Sequence, residues 1–562
     1  MSRSFSRRDF LQSAAATAIG SSSWAWLGCV LTRDYDVLIR GGLIIDGTGR
    51  DGEAADLGIR NGRIVAMGNL AQKSARRVIQ AQGMVVCPGF IDIHSHSDDD
   101  LLIDPRAESK IRQGVTTEVL GQDGESLAPL TEAMRAEMDA RWRDKYGTAV
   151  DWTDFAGYFR RLEARRMAVN VISMVGQGTL RAYVIGEANQ PAAAEDLAGM
   201  QALARQAFQQ GAFGISSGLE YTPGSFATTA EITDLCRAMD GRGLYSTHMR
   251  NEGDAVLEAI DEAIAIANGS GVALNISHLK AEGRRNWHKA GDILQRLATA
   301  RQAGLRVTCD RYPYVAYNTE LTSLFPLWSR DGGREKFVER LRDPALRDSL
   351  SAAVAAKITM LGSWEAAMIS SMDKEAHKRF EGQTIAAAAQ QQGQEPFAFL
   401  MELMIEEEGR GDMVGFAMSE EEISKILADP FCMVASDASA KAVDGPLREG
   451  NPHPRAFGSF PRTLGKYARE DHLFSLPEAI RKCTSLPAST LGLPDRGVLR
   501  EGSWADVVVF DAGKVHDRAT WQAPWQYPEG LPFVLVNGEV VVDGGEHTQQ
   551  LPGRVLRAPF AA

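Results

Sequence analysis

The chain runs to 562 residues, enough for two or three domains and a large core, with 44% hydrophobic and 24% charged residues in an ordinary globular balance. Its net charge of −12 excludes the basic footprint that nucleic-acid binding leaves. Six cysteines without Cys-x-x-Cys spacing, most of them in apolar runs such as Val85-Val86-Cys87-Pro88, exclude a disulfide framework or a zinc cluster and read as buried free thiols.

The N-terminus comes first in chain order. Ser6-Arg7-Arg8-Asp9-Phe10-Leu11-Gln12 resembles the twin-arginine export signal, and an apolar, small-residue stretch from Ala14 to Val30 follows it. That stretch is too short and too serine-rich for a membrane span. Residues 1–33 are therefore predicted to be an export signal, which places the mature protein in the periplasm with no stable span after processing. Trp26-Leu27-Gly28-Cys29 is weakly similar to a lipoprotein cleavage site, so lipid attachment at Cys29 is a second expectation.

Residues 34–85 read as short strands with Gly-rich turns, including Tyr35–Arg40 and Arg63–Gly68 after the hairpin pair Asn61-Gly62. Residues 497–562 repeat that texture around Asn537-Gly538. The two ends together predict one small β-sandwich. Between them, residues 86–496 alternate strand and helix. Candidate strands lie at 89–94, 116–120, 170–175, 212–216, 244–248, 272–277, 305–309 and 431–436, with helical patterns at 195–210, 228–240, 254–268 and 287–303. Eight such units predict an α/β chain built on a parallel (β/α)₈ barrel, a TIM barrel. The interval before the last strand is too long for one crossover helix. An insertion at about 320–428, rich in Ala, Glu and Met, is expected to cap the barrel mouth.

In such barrels the chemistry sits at the C-terminal ends of the strands. The first candidate strand ends in His94-Ser95-His96, and side chains two apart on a strand share a face, so two imidazoles can aim at one metal. Asp123 lies just past the second strand, His248 ends the fifth, His278 ends the sixth and Asp437 ends the eighth. His94, His96, Asp123, His248 and His278 are the candidate metal ligands, and Asp437 is the candidate proton carrier. Glu220 and Glu252 stand near strand ends and compete for that role, with orientation of neighbours the better reading. His453, in a Pro-rich loop, reads as structural.

At this point the chain resembles the amidohydrolase superfamily, and within it the N-acyl-D-amino-acid deacylases. The resemblance rests on His94-Ser95-His96, Gly218-Leu219 to Pro223-Gly224, His248-Met249-Arg250, Ile276-Ser277-His278-Leu279-Lys280, Tyr312-Pro313-Tyr314, and His453-Pro454-Arg455 through Phe460-Pro461-Arg462. It implies that His94 and His96 hold one metal and His248 and His278 another. It implies one or two Zn²⁺ ions, with Mn²⁺ or Co²⁺ as alternatives, and Asp437 as catalytic acid and base. Lys280, Tyr312 and Arg455 are implied to bind the carboxylate of a small-molecule substrate. Two positions depart from the family pattern: Asp123 stands where the family has a metal-ligating cysteine, and Gln177 where it has a histidine. A carboxylate still bridges two divalent ions and is a harder ligand than thiolate. The implied reaction is metal-dependent hydrolysis of N-acyl-D-amino acids. A dipeptidase or other amide hydrolase of the same superfamily is the alternative. A non-catalytic binding protein on this fold is a third reading, against which the four histidines and Asp437 argue.

Overall fold

The computed structural model describes residues 33–558. Arg7-Arg8, the apolar stretch to Val30 and Cys29 lie outside the described residues. The N-terminal strands are β1 (Tyr35–Ile44), β2 (Glu53–Arg60), β3 (Arg63–Gly68), β4 (Ala75–Gln80) and β5 (Val85–Pro88). The barrel follows with β6 (Phe90–Asp92), β7 (Val115–Leu120), β8 (Asn170–Ser173), β9 (Val175–Gly176), β10 (Gly214–Gly218), β11 (Leu244–His248), β12 (Ala273–Ile276) and β13 (Val307–Arg311). An insertion contributes β14 (Ala316–Glu320), β15 (Ala367–Ser371) and β16 (Asp412–Phe416) before the last barrel strand, β17 (Cys432–Val434). The chain ends with β18 (Val507–Phe510), β19 (Phe533–Val536), β20 (Glu539–Asp543) and β21 (Glu546–His547).

The two ends of the chain form one nine-stranded sheet, ordered β21-β20-β19-β18-β5-β1-β2-β3 with β4 also on β1. Antiparallel pairing of β5 with β18, Val86 against Val509 and Cys87 against Val508, joins the ends. Both Asn-Gly pairs turn hairpins, because both residues take left-handed angles: φ 51° and 76° at Asn61-Gly62, 49° and 84° at Asn537-Gly538. The turns touch, since a Cβ on Gly538 would lie 2.7 Å from the Gly62 Cα. Between the wings Ile39, Ile59, Val86, Val507 and Leu535 form a shared core. The expected sandwich is thus a single sheet folded over itself.

In the barrel, β6, β7 and β8 pair in parallel, as do β9 through β13 with β17. Met174 alone separates β8 from β9, so the third barrel strand passes from one sheet to the next. The ring closes where Ser95 bridges Ala438 in parallel. There the Asp437 amide donates to the His94 carbonyl at 2.9 Å and the His96 amide to the Ala438 carbonyl at 3.2 Å. Helices cover the outside through apolar stripes. Val256–Ser270 buries Val256, Ala259, Ile260, Ala263, Ile266 and Ala267, the spacing of one helical face, and ends at Gly271 in the left-handed conformation.

The insertion folds as a three-stranded antiparallel sheet, β14-β16-β15, around its own core of Leu324, Phe337, Leu350, Phe399 and Met404. Its limits differ from the sequence reading of 320–428. It begins with β14, and the helix Glu420–Ala428 places Ile423, Ile426 and Leu427 in the barrel core instead. Those three positions share one helical face, and the barrel wall supplies the larger apolar surface. Tyr317, Asn318, Thr319 and Glu320 of β14 line the cavity at the barrel mouth. Cys87, Cys236, Cys309, Cys432 and Cys483 are buried free thiols. Among the described residues no helix is long and apolar enough to cross a membrane.

Candidate metal centre

A cavity of about 770 Å³ opens at the C-terminal end of the barrel strands, and His96, Asp123, His248, His278 and Asp437 are on its wall. His94 and His96 follow β6 with their Nε2 atoms 3.3 Å apart. His248 is the last residue of β11. Asp123, His278 and Asp437 lie past their strands and take left-handed backbone angles, with φ 52°, 35° and 50°. Such conformations cost of order 1–3 kcal/mol each and persist only where surroundings hold them. The surroundings do so here. The His278 amide donates to Asp310 Oδ1 at 2.8 Å, and the Gly124 amide donates to Ser216 Oγ at 3.1 Å. The Asp123 loop is threaded past glycines: a Cβ on Gly218 would come 2.0 Å from the Asp123 carbonyl oxygen, and one on Gly176 2.3 Å from that of Gly124. Any larger residue would push Asp123 off the centre.

The donors form two groups that share Asp123: His94, His96, Asp123 and Asp437 in one, Asp123, His248 and His278 in the other. In the first, Asp437 Oδ1 is 3.1 Å from His96 Nε2 and 3.5 Å from His94 Nε2, while Asp123 Oδ1 is 3.4 Å from His94 Nε2. In the second, His248 Nδ1 is 3.0 Å from His278 Nε2, and Asp123 Oδ2 is 3.4 Å from His278 Nε2. Asp123 Oδ1, His94 Nδ1 and His248 Nε2 are buried without a hydrogen-bond partner. Burial pulls the imidazoles toward neutrality, but the carboxylates overcome it. Hydrogen bonds to Asp123 and Asp437 lift His96 to about 9, and Glu252 and Asp123 lift His248 to about 10. Burial alone would raise Asp123, yet His94 and His278 hold it well below the usual carboxylate range. Ring nitrogens facing one another across 3.0–3.3 Å, beside carboxylates, describe a pocket for positive charge. The donor set fits one or two divalent ions, and Asp123 belongs to both groups that would hold them.

Further residues orient these donors. Asp310 Oδ1 is 3.5 Å from His94 Nδ1, the side of the ring turned away from the centre. Glu252 Oε1 is 3.1 Å from His278 Nδ1 and holds that ring, while Glu220 Oε2 stands 4.0 Å from His248 Nε2. Lys110 is fully buried behind the first and last strands. Its Nζ donates to Asp92 Oδ2 at 2.8 Å, Ser436 Oγ at 2.7 Å and the Ala438 carbonyl at 2.7 Å. The sequence reading missed Lys110, Asp310 and the part played by Asp92, whose only local signal is a charged residue inside an apolar strand or next to one.

The three residues expected to grip a substrate carboxylate fare differently. Lys280 lines the cavity and is paired within the protein. Its Nζ donates to both Glu252 oxygens at 2.6 Å and lies 2.8 Å from His278 Nδ1, so its charge is already taken up by a carboxylate of the protein. Arg455 donates from Nη1 to Asp437 Oδ2 at 2.6 Å, keeps Nε unpartnered and stacks 4.5 Å over the Tyr312 ring. The Tyr312 hydroxyl is buried with no partner. Gln177 is buried at the start of the helix Gln177–Val184 with neither amide atom bonded, outside both donor groups. His453 is structural: its Nδ1 accepts from the Arg455 amide at 2.9 Å and its Nε2 donates to the Ala316 carbonyl at 2.9 Å.

The amidohydrolase family model matches residues 77–542. The chain belongs to that family. This amidohydrolase is 38% identical over 524 residues to the N-acyl-D-glutamate deacylase of Alcaligenes xylosoxydans xylosoxydans, covering 93% of the chain and 96% of the relative. The crystal structure of the N-acyl-D-glutamate deacylase of Bordetella bronchiseptica, complexed with zinc and a phosphonate mimic of the tetrahedral intermediate, superposes with a TM-score of 0.79 at 35% identity, covering 93% of this chain and all of that one. A D-aminoacylase studied for its binuclear metal centre gives 0.77 at 35% identity with the same coverage. The amidohydrolase barrel and the two donor groups agree with the zinc of the one relative and the binuclear metal centre of the other.

Because Asp123 belongs to both groups, Asp123→Ala should lower bound zinc by at least one equivalent relative to wild type, measured by inductively coupled plasma mass spectrometry after dialysis. A full complement of zinc in the folded variant would contradict its role as a ligand.

Proposed function

We propose that this amidohydrolase cleaves the amide bond of N-acyl-D-amino acids, releasing a carboxylate and a D-amino acid. The observation that carries the reading is the pair of donor groups sharing Asp123, set in one cavity with Asp437 and Arg455. Likeness to deacylases over nearly the whole chain supports the substrate class.

His94, His96, Asp123, His248 and His278 would hold the zinc, which polarises the amide carbonyl and brings the pKa of water to roughly 7. Asp437 is ionised at neutral pH: burial alone would raise its carboxyl, but Arg455 and the neighbouring histidines hold it far below the usual range. Arg455 takes Oδ2, which leaves Oδ1 turned toward His96 and His94. Oδ1 accepts the proton of the attacking water and returns it to the leaving nitrogen as the C–N bond breaks. The substrate carboxylate is drawn to the free Nε edge of Arg455 and to the unpartnered Tyr312 hydroxyl. That approach loosens Arg455 from Asp437 and makes Asp437 a better base. Lys280, held by Glu252, keeps His278 in place.

We further propose that the protein is exported, on the strength of Arg7-Arg8 and the apolar stretch behind them. Export of a folded chain suits an enzyme that loads its metal before leaving the cytoplasm.

Zinc-loaded enzyme assayed on N-acetyl-D- and N-acetyl-L-amino acids and on dipeptides should turn over the D series fastest. A preference for L-substrates would move it to the dipeptidase reading, and turnover of none would leave a binding protein. On the best substrate, Asp437→Asn should lower kcat by about 10²–10⁴-fold; a variant within threefold of wild type would assign the proton to another group. Fractionation of cells should find the protein in the periplasm and the Arg7→Lys/Arg8→Lys variant in the cytoplasm. Wild-type protein retained in the cytoplasm would overturn the export proposal.

A further inference from the structure

The carboxyl group of Glu118 has no part in the chemistry described so far. It lies inside β7, a strand whose residues are all buried, and none of its side chain reaches solvent. Its Oε2 accepts from the Ser95 hydroxyl and, at 2.6 Å, from the Ser97 hydroxyl, and it lies 3.4 Å from Lys110 Nζ. Its Oε1 is buried without a partner. A buried acid with an oxygen left over costs stability that an apolar side chain in the same strand would not. Lys110 does not require it, since Asp92, Ser436 and the Ala438 carbonyl already receive that ammonium.

The partners of Glu118 give it a role. Ser95 and Ser97 alternate with His94 and His96. The two imidazoles bring their Nε2 atoms to 3.3 Å from one another, while the two hydroxyls, 3.0 Å apart, turn to the Glu118 carboxyl. Regular pairing of β6 with β7 ends where Asp92 stands opposite Glu118. The histidines begin two residues later, where the Ser95 amide donates to the Val119 carbonyl at 3.1 Å. Side-chain bonds to Glu118 thus continue the attachment to β7 past the end of the ladder, through the residues that carry the two imidazoles. The other donor group is held by different residues: Asp310 accepts from the His278 amide, Glu252 holds the His278 ring, and Ser216 accepts from the amide beside Asp123.

We propose that Glu118 is a positioning residue for one of the two donor groups. It fixes the segment His94–Ser97 for a divalent ion and leaves the group of Asp123, His248 and His278 to its own supports. This rests on the metal centre described above and divides its supports between the two groups.

Zinc anomalous diffraction tests it, on crystals of wild type, Glu118→Gln and Ser97→Ala equilibrated with a series of buffered free-zinc concentrations, because it reads the occupancy of each group separately. Glutamine keeps the shape of Glu118 and loses the charge-assisted bonds to the two serines. Glu118→Gln should raise the free zinc that half-fills the His94 and His96 group by about 10-fold or more, the lower end of the loss on removing an outer partner of metal ligands. Half-filling of the His248 and His278 group should stay at the wild-type value. Ser97→Ala, which removes one of the two hydroxyl donors, should shift the first group in the same direction by less. An unchanged first group would overturn the assignment, as would a common shift at both groups, the mark of general loosening. Should Glu118→Gln not fold, Ser97→Ala decides alone. Wild-type crystals with zinc at the His248 and His278 group only would sink the role of Glu118; zinc at neither group would sink the metal centre with it.

Discussion

A parallel barrel holds a site only if its first and last strands meet, and here that seam has almost no regular ladder. It is held by a buried charge. Lys110 Nζ ties Asp92 on β6 to Ser436 and the Ala438 carbonyl beyond β17, and Asp92 in turn accepts from the Ser436 amide at 2.9 Å. Removing one partner of such a buried pair costs about 3–5 kcal/mol, because the other charge is left without compensation. Everything at the centre hangs on this seam: His94 and His96 leave one side of it and Asp437 the other, and the Asp437 amide bonds the His94 carbonyl across it at 2.9 Å.

On that frame the chain crowds titratable groups together. Asp123, Asp437, Glu252 and Glu220 crowd four imidazoles at one end of the barrel, where Lys280 pairs with Glu252 and Arg455 with Asp437. Three of the candidate donors and proton carriers sit in left-handed backbone, stabilised from outside by Asp310, Ser216 and the seam. The fold thus spends its stability on local strain and like charge at one point, a pattern that makes sense when a cation compensates both. The insertion completes the arrangement from above. β14 brings Tyr317 and Thr319 to the cavity, and the turn after it brings Arg330.

Periodicity made the strands legible and, through them, most of the donors. His94 and His96 show because a strand has a period of two; His248 and His278 show because each closes an apolar run at the rim of the barrel. The two Asn-Gly pairs announced hairpins that the left-handed angles at Asn61 and Asn537 realise. What the sequence hid is long-range pairing. Lys110 and Ser436 are 326 positions apart, and neither neighbourhood names the other. Lys280 was placed on the correct side of its strand, but its pairing with Glu252, 28 residues earlier, is not legible from its own neighbourhood. The helix Glu420–Ala428 looked like insertion because it follows the inserted chain, and only the packing of Ile423, Ile426 and Leu427 assigns it to the barrel.

The departure at Asp123 carries the most weight, since a carboxylate there replaces the thiolate that the family resemblance implies and must hold both donor groups together. Anomalous diffraction at the zinc absorption edge, from crystals of the zinc-loaded enzyme, tests this directly. The account predicts zinc bound by Asp123 together with His94 and His96, by Asp123 together with His248 and His278, or by both groups at once. Zinc at a position that leaves the Asp123 carboxylate unbound, or no zinc inside the barrel, would contradict it.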